Sequence, residues 1–95
     1  MRQAIPNEDV ALFLDADKAF DIVLGAAASN PYAARIAAPL QTHSRRFWFR
    51  LRPSTGIAGS ANAHATLIEA IVSRQPEQAS DTASKLMAYL RTLAP

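Results

Sequence analysis

The sequence predicts an all-α protein, a small antiparallel bundle of about four helices. Apolar residues recur at three- and four-residue steps through most of the 95 residues. Alanine is abundant, and away from the termini and positions 53–56 glycine and proline are sparse, which favours helices. No stretch alternates apolar with polar residues as a half-buried strand does.

The first helix is expected from about Asn7 to Ala28. Asn7 is a plausible N-cap, with Glu8 and Asp9 in the first turn, where the helix dipole favours anions. Phe13, Ala16, Phe20, Val23 and Ala27 draw one apolar stripe, and Asp17 and Asp21 lie beside it at the edge of the core. Gly25 and the small residues after it permit close helix approach. Ser29-Asn30-Pro31 is the first break, with Asn30 as a cap and Pro31 at the first position of the next helix.

The second helix is expected to run to about Arg52, with Tyr32, Ile36, Leu40, Phe47 and Leu51 facing inward. Pro39 lies inside it and should kink it or leave a carbonyl unpaired. Pro53-Ser54-Thr55-Gly56 reads as a turn. The third helix runs from about Ile57 or Ser60 to Ser73, with His64, Leu67, Ile68, Ile71 and Val72 on overlapping faces and His64 inward. The fourth begins at Gln75-Pro76-Glu77 and carries a stripe of Ala79, Ala83, Leu86, Leu90 and Leu93.

Composition narrows the function classes. At 95 residues, 1–95 is expected to be one small domain or a piece of one. With no cysteine there is neither a disulfide nor a thiolate metal site. No apolar run is long enough to span a bilayer, and the start lacks a secretory leader, so a cytoplasmic protein is expected. A net charge of +2 is low for a dedicated nucleic-acid binder. That charge is unevenly spread: five of the eight acids lie between Glu8 and Asp21, and Arg45, Arg46, Arg50 and Arg52 cluster mid-chain. The arginine stripe reads as a solvated face, Phe47 and Trp48 as core or dimer-interface residues, and His43 as solvent-facing.

Asp17, Asp21 and His64 are the one convergence of metal-capable side chains. Four residues span about one helical turn, so the two carboxylates share a face on which an imidazole from another helix can close. Two such carboxylates repel, and three environments relieve them. A divalent cation can sit between them, with water or effector completing its shell. Arg45 or Arg46 can pair with them in place of the metal. Or both acids face solvent and His64 is simply packed. Ser44, Ser60 and Ser84 have no positioned base, and no glycine-rich phosphate loop is present, so the chain is not expected to be an enzyme. A small metal-dependent hydrolase is the distant competitor.

The runs LDADKAFDIVLGAAASNPY, NAHATLIEAIVSRQPEQAS and SKLMAYL resemble the C-terminal effector-binding (FCD) domain of GntR-type transcriptional regulators of the FadR-like branch. The similarity spans about Leu12 to Leu90. It implies a helical bundle whose cavity holds one divalent metal (Mn²⁺, Ni²⁺, Zn²⁺ or Fe²⁺), which orients a small carboxylate effector, usually in a homodimer. Arg45 and Arg46 are candidate anchors for that effector. DNA is implied only through a separate winged helix-turn-helix, which has no counterpart here; the first FCD helices also have none. Position by position, the family's aspartate falls on Asp17 and its second histidine on His64. Its first histidine falls on Asp21 and its third on Leu86, which cannot coordinate. The expected function is a ligand-sensing and dimerisation domain. The alternative is a helical protein-interaction module that has lost metal and effector binding.

Overall fold

The computed structural model describes residues 1–27, 29–51 and 56–93, and the described residues form helices without a strand. A 3₁₀ turn, Arg2–Ala4, precedes α1 (Val10–Ala27), α2 (Pro31–Leu51), α3 (Ala58–Val72) and α4 (Pro76–Leu93). The all-α, four-helix expectation holds. The turn at 53–55, the ends expected at Ala28 and Arg52, and the side chain of Leu51 lie outside the described residues.

The helices pair as two antiparallel hairpins, α1 along α2 and α3 along α4, bridged by the 3₁₀ turn. In the first, Phe13 meets Trp48 while Gly25, near the other end of α1, meets Ala34 near the start of α2. In the second, Gly59 at the start of α3 lies under the Tyr89 ring near the end of α4. A β-carbon at Gly59 would collide with that ring, so a larger residue there would displace the Tyr89 side chain.

Where the hairpins meet, Ala4, Phe13, Ile57 and Ala61 form the buried core, with Met1, Ile5, Val10, Leu14 and Trp48 packed around it. Arg2 ties the 3₁₀ turn to α3 through the side chains of Asn62 and Glu69.

Helix starts follow local chemistry, with one correction. Asn30 caps α2 as expected, its Oδ1 accepting from the Ala33 N–H at 3.1 Å. Pro76 opens α4 with Glu77 beside it. The cap of α1, however, is Asp9 rather than Asn7: Asp9 Oδ1 accepts from the Leu12 N–H at 3.0 Å. Glu8 is left-handed, with φ 49°, so the helix cannot extend back to Asn7. That turn lets the Glu8 carboxylate accept from the Ile57 N–H at 3.3 Å, just before α3.

The largest correction concerns α2. Tyr32, Ile36, Leu40 and Phe47, expected inward, are exposed, Tyr32 and Leu40 to 67%. The face turned to α1 is instead Ala34, Ala37, Gln41, Arg45 and Trp48. Small residues allow the helices to close at Gly25, and an ion pair holds Arg45 inward. Val23 and Ala27 of α1 are likewise exposed rather than inward, and Ile71 and Val72 at the end of α3 are exposed as well. The stripe of α4 is as expected, with Leu86 buried and Ala79, Ala83, Leu90 and Leu93 half-buried.

Candidate functional site

Asp17, Asp21 and His64 are brought together at the seam between the hairpins, and Arg45 joins them. Helical spacing puts the two acids of α1 on one face, one turn apart. That face looks at α2, where Arg45 approaches, and at α3, where His64 closes from the side. Each of the four side chains is less than a fifth exposed.

The contacts are specific. Arg45 Nη1 lies 2.6 Å from Asp21 Oδ2 and 3.5 Å from Asp17 Oδ2. His64 Nε2 lies 3.2 Å from the other oxygen of Asp17, Oδ1. On the far side of the ring, Nδ1 is 2.7 Å from the Ser60 carbonyl. A carbonyl only accepts, so Nδ1 carries a proton and donates. The Phe13 ring meets the imidazole edge-on, centroids 5.8 Å apart, which fixes the ring from a third direction.

Proton affinities follow from this packing. Burial pushes the Asp21 carboxyl above its ordinary value of 3.8, and the neighbouring Asp17 charge pushes the same way, outweighing the opposing pull of Arg45. For His64, burial works against the imidazolium. The Asp17 hydrogen bond, the Ser60 carbonyl and the two carboxylate charges together outweigh it and raise the imidazole above 6.5. The Ser60 hydroxyl, fully buried one turn before His64, has no hydrogen-bond partner among the described residues.

The site residues do not fit a divalent ion while Arg45 is in place. A guanidinium already supplies positive charge to both carboxylates and occupies the oxygens that face it. Among the described residues no group of three His, Asp or Glu side chains is arranged to hold a metal. Leu86, the position on which the resemblance puts the family's third histidine, is buried at 2% exposure and adds only apolar surface.

Arg46 takes a different position from Arg45. Adjacent residues on a helix point about 100° apart, and Arg46 lines a cleft between α1 and α2 of ≈ 520 Å³. Its walls are Lys18, Arg45, Arg46 and Arg50, with Leu14, Thr42 and Phe49 beside them and Asp15 as the one acid. Lys18 was not singled out by motif; its signal is its spacing of four from Leu14, which puts both on the α2-facing side of α1. Arg45 belongs to both the cleft and the acidic cluster. His43 is exposed, and Trp48 is half-buried against Phe13.

Among the described residues no helix is long and apolar enough to cross a membrane. The FCD domain family model matches residues 1–89. No curated protein and no solved structure matches the chain at a significant level.

Proposed function

From the chain's membership of the FCD domain family, the effector-binding domains of transcriptional regulators, we propose that it is the ligand-sensing domain of a GntR-type regulator and that its effector is a small carboxylate bound in the α1–α2 cleft. The observation that carries this is the cleft's composition. Four cations and one acid surround a partly apolar floor, a surface suited to a carboxylate with a short hydrocarbon body. Arg46 is the leading anchor, because Arg45 is engaged by the acids, while Lys18 and Arg50 add charge at the rim. An anion here also draws on Arg45, and through it on the Asp17–His64 contact that joins α1 to α3. Binding is thereby coupled to the relative placement of the two hairpins, which is what a sensor requires. In this reading the chain acts by binding rather than by turnover, and DNA contact falls to a separate domain.

Thermal melts with succinate or malonate test the reading. A carboxylate that fits raises the melting temperature with concentration, and Arg46→Ala removes the shift without lowering the melting temperature of the unliganded chain. A flat response to dicarboxylates, or an equal shift in Arg46→Ala, overturns it.

The exposed row Tyr32, Ile36, Leu40 and Phe47 on α2 supports the further proposal that the chain associates with a second copy. The same row favours the competing reading, a helical interaction module without effector chemistry; a flat carboxylate response together with self-association would select it.

A further inference from the structure

We propose that Arg45 is the built-in cation of this site: its guanidinium holds the place of a divalent metal between Asp17 and Asp21, and removing it would turn Asp17, Asp21 and His64 into a metal site. The inference stands on the arrangement of four side chains and is independent of which effector the chain senses.

Two carboxylates one turn apart on a partly shielded face require positive charge between them. Arg45 provides it from α2, with Nη1 at 2.6 Å from one acid and 3.5 Å from the other. Arginine is suited to this place in a way lysine is not. Its guanidinium offers several N–H donors and does not give up its proton near neutral pH, so it cannot yield to an incoming metal by becoming neutral.

Arg45 also has little reason to swing away. The space open to it is the adjoining cleft, already lined by Lys18, Arg46 and Arg50. Leaving the acids would place a fourth cation among three, with Asp15 as the one acid beside them in place of two. The acidic cluster on one side and the basic cleft on the other therefore both hold it where it is.

The remaining groups show what its departure would expose. His64 directs Nε2 at Asp17 and is oriented by the Nδ1 hydrogen bond to the Ser60 carbonyl. A backbone carbonyl on the far nitrogen is how imidazole ligands are commonly fixed. Without the guanidinium, Asp17 and Asp21 would keep two carboxylates beside the His64 imidazole, a donor set for Mn²⁺ or Ni²⁺ once the side chains turn to a common point.

The test uses Ni²⁺ itself with the full chain, Arg45→Ala and the double variant Arg45→Ala/Asp17→Asn, read by equilibrium dialysis and by melting temperature. The unsubstituted chain is expected to bind no stoichiometric Ni²⁺ and to melt at an unchanged temperature. Arg45→Ala is expected to bind one equivalent on the order of 100-fold more tightly than the unsubstituted chain, since a fixed neighbouring cation has been removed. Its melting temperature should rise with Ni²⁺, and Asp17→Asn should abolish both effects. If Arg45→Ala folds only when Ni²⁺ is present, that also supports the proposal. Stoichiometric Ni²⁺ on the unsubstituted chain, lost in the double variant, overturns it. So does an Arg45→Ala protein that gains no affinity, or that fails to fold with and without the ion. A carboxylate response lost in Arg46→Ala would survive any of these results, so the two readings fail separately.

Discussion

Proton binding at the seam between the hairpins is linked to folding through His64 and Asp21, and both act in the same direction. Each is raised above its ordinary value, so each binds its proton more tightly in the folded chain than in the unfolded one. The stability this contributes is complete below the ordinary pKa and is lost as pH rises through the folded value. For Asp21 the loss begins above 3.8, and for His64 above 6.5. Above pH 6.5, His64 is therefore expected to make urea stability fall as pH rises. His64→Gln keeps a polar group there but cannot titrate, and should flatten that part of the profile. An unchanged slope in the variant would show that His64 is not the linked group. Much of this cluster was legible in the sequence, because the Asp17–Asp21 spacing fixes their common face once the helix exists. That Arg45 rather than Arg46 completes it was not legible. The two are neighbours pointing in different directions, and the choice depends on how α2 is rotated against α1.

At the scale of elements, what local chemistry decides was readable and what long-range contact decides was not. Asn30-Pro31 and Pro76-Glu77 mark helix starts because cap, ring and charge act within one turn. The start of α1 escaped this logic because Glu8 answers to a residue far along the chain, its carboxylate reaching the Ile57 N–H. Gly56, at φ 78°, brings its backbone so close to that carboxylate that a β-carbon would lie 2.7 Å from its Oε1. The reassigned cap has a direct consequence. Asp9→Ala should lower unfolding stability by about 1 kcal/mol, the usual cost of a lost N-cap, while Asn7→Ala stays within about 0.5 kcal/mol. Equal losses from the two substitutions in chemical denaturation would return the cap to Asn7. The misread face of α2 has a related cause. Periodicity says that Tyr32, Ile36, Leu40 and Phe47 form a stripe, but not which body covers it. The close fit of Ala34 to Gly25 and the pull on Arg45 turned the other face inward.

For the molecule as a whole, that outward stripe is the feature the four helices leave unresolved. Scattered exposed apolar residues are ordinary, but a row at helical spacing along one helix is the form an interhelical contact takes. Leu40 stands in the middle of the row and is 67% exposed. If two copies pack α2 against α2 about a two-fold axis, every position on the stripe is buried twice. Leu40→Glu then removes two buried leucines and sets two carboxylates close together. At about 1.5–3 kcal/mol per leucine, the dimer should weaken on the order of 100-fold or more. Sedimentation equilibrium across a concentration series reads this directly: the unsubstituted chain is expected as a dimer and Leu40→Glu as a monomer. The substitution sits on the face turned from Arg45 and Trp48, so circular dichroism should show its helix content retained. A monomer from the outset, or a dimer indifferent to Leu40→Glu, would remove α2 as the contact and leave the row to a different protein.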